Sequence, residues 1–268
     1  MTATDTVFAG SIPGLYDRYL APLLFEPYAD EVARRALDLM PGHVLETAAG
    51  TGIVTAALAR TLTEAHIIAT DLNPAMLDVA AERVHSDRVT FEAADAQDLR
   101  FADGSFDLVV CQFGIMFYPD KVKGNAEAHR VLRHNGKYVL VIWDRLDRNP
   151  ASQIVHDAVA ALYPEDPPSF FARTPFGYAD PAAIERDLLA AGFSDVELET
   201  VELKSRAISA RDAATGLVTG SPLRTEIEER GPEELPAAVD AAAAALKAIE
   251  KDGRLDSALS AHLVTATK

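Results

Sequence analysis

Cysteine is nearly absent from this chain, which has one, Cys111, among 268 residues. A single thiol excludes a disulfide within the chain, and its position in an apolar stretch predicts a packed side chain rather than a nucleophile. The seven histidines are scattered, and His129 and His134 have neither the i,i+4 spacing of a helical metal pair nor a neighbouring cysteine. We therefore expect no disulfide and no metal site.

Basic residues are also scarce. The chain has 25 lysines and arginines against 41 aspartates and glutamates, which gives a formal net charge of −16. Proteins that bind nucleic acid or an anionic membrane present clustered cations to phosphate groups, so this charge balance argues against both partners. A small molecule is the favoured partner, and the composition specifies no oligomeric state.

Long apolar runs are missing as well. A membrane-spanning helix needs roughly twenty consecutive apolar residues, whereas even the alanine-rich stretch Ala237–Ile249 is interrupted by Asp240 and Lys247. The N-terminal sequence MTATDTVFAG has neither the basic start nor the apolar core of a signal peptide. These features predict a cytoplasmic protein without a membrane span.

The segment VLETAAGTGIVT, from Val44 to Thr55, is the most informative part of the chain. An apolar strand (His43–Glu46) enters a loop that contains Gly50 and Gly52, and this loop opens a helix. Glycines suit such a loop because the turn is tight and because a ligand can approach bare backbone. About twenty residues further on, IIATD ends a second strand at Asp71, whose carboxylate can accept hydrogen bonds from both hydroxyls of a ribose.

Two classes of cofactor use this arrangement, and the third position of the glycine motif separates them. A dinucleotide site favours a third glycine, which lets the helix pack closely beside the pyrophosphate, but this chain has Thr55 there. Glu46 lies at the spacing E-x-(G/A)-x-G-x-G, and a carboxylate beside the loop disfavours pyrophosphate while tolerating an ammonium or sulfonium group. The residues therefore favour S-adenosylmethionine.

Further motifs follow in order, namely VTFEAADAQDLRFADGSFDLVVCQFGIMFYPD (Val89–Asp120) and EAHRVLRHNGKYVLVIWD (Glu127–Asp144). Together with the glycine loop they resemble the class I S-adenosylmethionine-dependent methyltransferases, specifically the small-molecule group that includes ubiquinone and menaquinone biosynthesis. The resemblance covers most of residues 10–145 and, more weakly, residues 190–203. It implies an enzyme that transfers a methyl group from S-adenosylmethionine to an oxygen, carbon or nitrogen nucleophile by in-line displacement, with S-adenosylhomocysteine as product.

The resemblance also implies roles for single residues. The loop around residues 46–52 would surround the methionine part of the cofactor, and Asp71 would hold the ribose. Asp95 and Ala96 would recognise the adenine edge through a carboxylate and a backbone N–H. The family usually has glycine where this chain has Ala48, and a methyl group fits there only if φ is negative. The implied cofactor-binding set is Glu46, Thr47, Ala48, Gly50, Gly52, Asp71, Leu72, Met76, Asp95, Ala96, Gln112 and Phe113.

Aromatic residues form the candidate wall of an acceptor pocket, because the reaction needs a site that holds donor and acceptor close and aligned. Tyr16 and Tyr19 are three residues apart on a predicted N-terminal helix, and this spacing is equally compatible with core packing. The apolar wall favours carbon or oxygen acceptors, by analogy. No catalytic residue is identified, and His156 fits a surface residue better than a general base. The candidate substrate set is Tyr16, Tyr19, Phe117, Trp143, Phe176 and Tyr178.

Short apolar strands alternate with helical patterns between residues 43 and 143. This order predicts a Rossmann-like α/β fold, with a seven-stranded, mostly parallel sheet, helices on both faces and a helical cap. Strands near 195–204 and 259–266 are expected to finish the sheet as an antiparallel pair. We predict three parts: residues 1–144 as N-terminal helices and cofactor-binding core, residues 145–185 as a substrate lid, and residues 186–268 as the end of the sheet with a helical insert at about 209–252.

Two other functions stay compatible with parts of the sequence. A nicotinamide-dependent oxidoreductase would use the same strand, loop and helix, although Thr55 and Glu46 disfavour it. A non-catalytic S-adenosylmethionine-binding scaffold that regulates a partner would keep the whole loop, because methyl transfer requires no invariant base whose absence would be diagnostic. Stabilisation by one cofactor and not by the other distinguishes the oxidoreductase from the methyltransferase.

Overall fold

The structure is a computed structural model that describes residues 12–205, 208–231 and 233–268. Its strands are β1 (His43–Thr47), β2 (His66–Asp71), β3 (Val89–Ala93), β4 (Phe106–Gln112), β5 (Leu132–Trp143), β6 (Asp195–Lys204), β7 (Glu250–Lys251), β8 (Arg254–Leu255) and β9 (Ala258–Thr267). Its helices are α1 (Ile12–Leu15), α2 (Glu26–Leu39), α3 (Ile53–Thr61), α4 (Pro74–Arg83), α5 (Lys121–Val131), α6 (Pro150–Ala160), α7 (Phe170–Arg173), α8 (Pro181–Ala190), α9 (Ala210–Thr219), α10 (Leu223–Glu228) and α11 (Glu234–Leu246).

Seven strands form one sheet in the order β3-β2-β1-β4-β5-β9-β6. The pairs β1–β2, β1–β4, β2–β3 and β4–β5 are parallel, and β9 runs antiparallel to β5. Val44 and Leu45 of β1 and residues 108–111 of β4 have no exposed surface, as expected for strands covered on both faces of a sheet. The predicted Rossmann-like α/β fold is confirmed. All carboxyl ends of the parallel strands meet at one edge, where open sheets of this kind bind ligands.

The N-terminal segment differs from the single predicted helix. Residues Tyr16–Phe25 form a π-helix that contains Pro22, and the N–H of Glu26 bonds to the carbonyl of Ala21, five residues earlier. Pro22 has no N–H to donate to the carbonyl four residues earlier, as a regular α-helix requires. This missing hydrogen bond is a local cause of the wider turn. The chain continues directly from the π-helix into α2.

The predicted helical insert at 209–252 is wrong at its last residues. After α11 and a short 3-10 turn (Lys247–Ile249), the chain forms the two-stranded hairpin β7–β8. Asp252 and Gly253 connect the two strands with φ values of 51° and 74°. Two successive left-handed residues with the sequence Asp-Gly are typical of a tight hairpin turn. The dipeptide Asp252-Gly253 therefore indicates the hairpin in the sequence itself.

Contacts divide the described chain into two compact units. The sheet unit comprises Tyr28–Trp143, Tyr178–Val201 and Ala261–Lys268, and the helical unit comprises residues up to Pro27, Asp144–Gly177 and Glu202–Ser260. The three-part division by chain order stays a prediction. Within the residues that the structure describes, no helix is both long and apolar enough to cross a membrane.

Candidate cofactor site

The glycine loop lies between β1 and α3, in the sheet unit. Gly50 and Gly52 have φ values of 56° and 76°, a left-handed conformation that glycine adopts without steric cost. A Cβ at Gly52 would also lie 2.8 Å from the Cβ of Ala80 on α4. Glycine at 52 is thus required by its backbone and by the close packing of α4. At Gly50 a Cβ would make only an ordinary contact, so there the backbone conformation is the requirement.

Asp71, the last residue of β2, forms hydrogen bonds with the glycine loop and with the loop that precedes α4. Its Oδ2 accepts the N–H of Gly50 at 2.9 Å, and its Oδ1 accepts the N–H of Asn73 at 2.8 Å. The residue is 8% exposed, and this burial raises the pKa of its carboxyl, against the opposing effect of the backbone N–H groups. Each carboxylate oxygen has a second lone pair, so the side chain can accept further hydrogen bonds from hydroxyl groups.

The loop after β3 is joined to the same strand end. The N–H of Ala94 donates to the carbonyl of Asp71 at 3.0 Å. Asp95, the next residue, is exposed, and its Oδ1 accepts the N–H of Gln97 at 2.8 Å. Asp71 and Asp95 therefore lie on successive loops at one edge of the sheet, as the resemblance implies. Ala96, between Asp95 and Gln97, is half-buried.

Glu46 is a buried acid at the end of β1. It is 2% exposed, and its Oε2 accepts the hydroxyl of Thr55 at 2.6 Å. Thr55 is fully buried on the first turn of α3, so the residue that replaces the third glycine provides this hydrogen bond. Burial, with a smaller contribution from the charge of Asp71, raises the pKa of Glu46 to about 8, although the bond from Thr55 opposes the shift. Burial therefore favours the protonated form of Glu46 as long as no cation lies beside it.

Ala48 adopts the conformation that the sequence argument disfavoured. Its φ is 55°, so the expectation of a negative φ is wrong. The methyl group is accommodated because the neighbouring residue is Gly114, at which a Cβ would lie only 2.4 Å from the Cβ of Ala48. The backbone of Ala48 is therefore strained, and Gly114 leaves room for its methyl group without removing that strain.

Phe113, the residue that follows β4, packs in a cluster with two other aromatic rings. Phe113 has a φ of 55°, and its ring stacks on Trp143 with a centroid distance of 3.7 Å and an interplanar angle of 7°. Tyr28 meets both rings edge-on at 5.4 and 5.7 Å, and its hydroxyl donates to the carbonyl of Val201 at 2.8 Å. Such edge-to-face and stacked pairs add to the stability gained from burial. The cluster holds Phe113 in a conformation that is rare for a bulky side chain.

Part of the chain matches known methyltransferases. Residues 44–136 match a family model described as a methyltransferase domain. The chain is 38% identical over 105 residues to the ubiquinone/menaquinone biosynthesis C-methyltransferase UbiE of Citrifermentans bemidjiense, covering 37% of this chain and 45% of that protein. It is 33% identical over 165 residues to the demethylmenaquinone methyltransferase of Deinococcus radiodurans, covering 60% of this chain and 66% of that protein. The match thus spans about half the length of the first relative.

Solved structures share the fold. The YcgJ protein of Bacillus subtilis has a TM-score of 0.57 at 18% identity, covering 90% of this chain and 98% of that one. The phospholethanolamine N-methyltransferase 2 of Haemonchus contortus, solved with S-adenosylhomocysteine, has a TM-score of 0.52 at 20% identity, covering 84% and 48%. Residues 44–136 thus form a methyltransferase domain, and the fold is that of the class I S-adenosylmethionine-dependent methyltransferase family.

The site residues fit S-adenosylmethionine, the cofactor of this family. Thr51 lies inside the glycine loop and is 1% exposed, and its hydroxyl has no hydrogen-bond partner among the described residues. Such a group is costly to bury unless a ligand or water satisfies it. Within the described chain no cation pairs with Glu46 or Asp71, so the loop suits an ammonium or sulfonium group better than a pyrophosphate.

The remaining predicted cofactor residues have different environments. Leu72 is 59% exposed beside Asp71, whereas Met76 is buried and its Cε lies 3.7 Å from the position of a Cβ at Gly50. The Thr47 hydroxyl is already engaged, because it donates to the carbonyl of Val110 at 3.5 Å and accepts from Tyr118 at 3.3 Å. Gln112 is half-buried at the end of β4. Their contacts with the cofactor stay predictions.

The candidate substrate residues divide between the two units. In the sheet unit, Trp143 is 3% exposed within the aromatic cluster, Phe117 is half-buried on a 3-10 turn after Phe113, and the Tyr178 hydroxyl donates to Asp187 at 2.9 Å. These contacts favour a packing role for Trp143.

The other three candidates lie in the helical unit. The ring of Tyr16 stacks on that of Phe25, with a centroid distance of 4.8 Å. Tyr19 packs closely on α9, because a Cβ added at Gly216 would lie 2.6 Å from the Cβ of Tyr19. Phe176 is 9% exposed and meets Phe171 edge-on at 6.3 Å. Both tyrosines are half-buried, so packing and a place in a pocket wall stay open for them.

Sequence reasoning missed Tyr28 and Thr51. Tyr28 had a readable signal, because Tyr28, Val32 and Ala36 are spaced by four on α2 and are all fully buried. Thr51 had none, since nothing in the order of residues shows that a loop hydroxyl will be buried without a partner.

Proposed function

We propose that this chain transfers the methyl group of S-adenosylmethionine to a carbon or oxygen atom of a small, apolar molecule. The observation that carries the proposal is the glycine loop itself. Two buried acids, Glu46 and Asp71, lie at this loop with no paired cation among the described residues. A cationic amino-acid group bound here would favour the ionised form of Glu46 and would be attracted by Asp71, whereas an anionic cofactor would be repelled by Asp71.

Little acid–base chemistry is needed for such a reaction. S-adenosylmethionine supplies an activated methyl group when it is bound. The chain then has to hold two reactants close and in line, which alone accounts for a large share of the rate enhancement. In this proposal Asp71 binds the ribose hydroxyls through its second lone pairs, the Thr51 hydroxyl binds a polar group of the methionine part, and Asp95 with Ala96 binds the adenine. We assign no catalytic base.

The class of acceptor is proposed from the relatives and from the composition of the chain. One relative is named as a C-methyltransferase of ubiquinone and menaquinone biosynthesis, and the other as a demethylmenaquinone methyltransferase. These names support a carbon atom of a quinone ring as the first acceptor to test, with oxygen next and nitrogen last. We keep the proposal that residues 145–185 influence acceptor choice, because Phe170, Phe171 and Phe176 form an aromatic cluster there. The net charge of −16 argues against a nucleic-acid partner, and we propose a cytoplasmic location.

Thermal unfolding tests the cofactor class. A ligand that binds only the folded state at one hundred times its Kd should stabilise the protein by about 2.7 kcal/mol, which corresponds to roughly 5–10 °C for a chain of this size. We expect this shift with S-adenosylhomocysteine and none with NAD or NADP at the same concentration. A shift with the dinucleotides alone would instead support an oxidoreductase.

Methyl transfer itself is tested with a water-soluble naphthoquinol that has a free ring carbon next to the quinol oxygens. We expect the product to gain one CH2 in mass and to keep both hydroxyl groups. Methylation at oxygen would change the acceptor atom and leave the cofactor assignment intact. Binding of S-adenosylhomocysteine without transfer to any quinol, phenol or amine would favour the non-catalytic scaffold.

A further inference from the structure

The backbone conformation at Gly114 does not require glycine. It follows Phe113 at the end of β4, and its φ is −99°, a value that any residue adopts. A Cβ at this position would nevertheless lie 2.4 Å from the Cβ of Ala48 and 2.9 Å from the Sγ of Cys111. Packed interiors do not accommodate such contacts without displacing a neighbour. Position 114 is therefore kept small by what lies against it.

Ala48 has the complementary property. Its φ of 55° lies in the left-handed region, where an L residue is strained and glycine is not. Its methyl group nevertheless packs against the bare Cα of Gly114. The residue whose backbone favours glycine is alanine, and the residue whose backbone accepts any side chain is glycine. The methyl group of Ala48 explains why position 114 is glycine, so the two positions form a steric pair.

This pair connects the glycine loop to a rigid strand end. On one side, Ala48 lies two residues before Gly50, whose N–H donates to Asp71 at 2.9 Å. On the other side, Gly114 follows Phe113, whose N–H donates to the carbonyl of Val141 at 2.8 Å and whose ring is stacked on Trp143. A displacement of Ala48 by even a fraction of its contact distance would move the Gly50 N–H away from Asp71.

We propose that Gly114 is a positioning residue for the cofactor loop. By leaving space for the methyl group of Ala48, it sets the distance of the loop from the end of β4 and so the placement of Gly50 and Thr51. The expected effect on S-adenosylhomocysteine affinity rests on the proposed function, whereas the expected effect on the position of Gly50 does not. Gly114 contacts no reacting atom in this account, because it acts through Ala48.

The test uses Gly114→Ala, Ala48→Gly and the double variant of the full chain. Calorimetry measures the affinity for S-adenosylhomocysteine, and hydrogen exchange measures protection of the Gly50 amide without ligand. We expect Gly114→Ala to weaken binding by about tenfold or more, since misplacing site groups by about 1 Å has effects of that scale, and to speed exchange at Gly50. Adding Ala48→Gly removes the shorter contact and should restore most of both properties. Ala48→Gly alone is measured as the reference, and rescue means that the double variant approaches the affinity and Gly50 protection of Ala48→Gly.

A matched control is available on α5. A Cβ at Gly124 would lie 2.5 Å from the Cδ2 of Tyr118, so Gly124→Ala creates a contact of similar severity that Ala48→Gly does not relieve. Ala48→Gly should rescue Gly114→Ala and not Gly124→Ala. Equal rescue of both would mean a general gain in stability, which would overturn the proposal.

The outcomes separate the two claims. Wild-type affinity and wild-type Gly50 exchange in Gly114→Ala would overturn the inference, and so would a double variant as impaired as Gly114→Ala. If Gly114→Ala does not fold, the double variant decides, because the inference requires it to fold and to protect Gly50. If the wild-type protein does not bind S-adenosylhomocysteine, the proposed function fails, while the exchange of Gly50 still tests the positioning role.

Discussion

The Glu46→Gln variant is expected to be more stable than the wild-type protein above pH 8, by a few kcal/mol, because each unit of pKa shift corresponds to about 1.4 kcal/mol. Glu46 is 2% exposed, and its carboxyl accepts the hydroxyl of Thr55, with a further contribution from the backbone N–H of the same residue. Glutamine keeps an oxygen that accepts this bond, and it removes the charge that burial disfavours. The substitution therefore imitates the protonated form of the native residue.

The pH window of this effect follows from the direction of the shift. Burial raises the pKa of Glu46 from 4.5 to about 8. Between these two values the unfolded chain has lost the proton and the folded chain retains it, so the free energy of unfolding falls as the pH rises. Below pH 4.5 both states are protonated, and above pH 8 both are ionised, so the Glu46 contribution is constant outside the window. The glutamine variant has no such contribution.

Urea denaturation between pH 4 and 9 measures this difference. The wild-type protein should lose stability relative to Glu46→Gln across the window and not beyond it. Glu92 is exposed on β3, so Glu92→Gln should leave the pH profile close to that of the wild type. A constant difference between Glu46→Gln and wild type over the whole range would show that Glu46 is ionised in the folded protein at neutral pH.

Asp71→Ala is expected to weaken the binding of S-adenosylhomocysteine by about 10- to 150-fold, which corresponds to roughly 1.5–3 kcal/mol for hydrogen bonds to a charged group. The wild-type carboxylate accepts the N–H groups of Gly50 and Asn73, so alanine also releases both loops. In the proposed site the same side chain accepts the ribose hydroxyls. The loss of affinity thus combines a direct contact with a loss of loop order.

Asp78→Ala is the matched control, because Asp78 is an exposed acid on α4. It removes the same charge close by and should leave the affinity unchanged. Calorimetry on folded protein compares the three forms. Equal affinities for Asp71→Ala and Asp78→Ala would remove Asp71 from the cofactor site.

The sequence was sufficient for the parts of the site that depend on residue order. The glycine loop, the acid at the end of β2 and the start of α4 at Pro74 lie where the motifs predicted them. These features are local, since a turn, a strand end or a helix start is determined by a few neighbouring residues. The alternation of strands and helices likewise predicted the parallel sheet.

The sequence was insufficient where residues distant in the chain determine the geometry. The positive φ of Ala48 depends on Gly114, and the conformation of Phe113 depends on Trp143 and Tyr28. Thr55 was recognised as a departure from the dinucleotide motif, but its bond to Glu46 needed the fold. Tertiary packing overrides local preference at these positions, which is common at strained functional sites.

Hydrogen exchange with and without S-adenosylhomocysteine tests where the cofactor binds, because it maps the bound cofactor onto the chain. We expect added protection in three segments of the sheet unit, namely residues 46–52, 71–76 and 95–97, with little change in α2 or β9. Protection that is absent from the glycine loop, or that falls elsewhere in the chain, would contradict the assignment of this loop and Asp71 as the S-adenosylmethionine site.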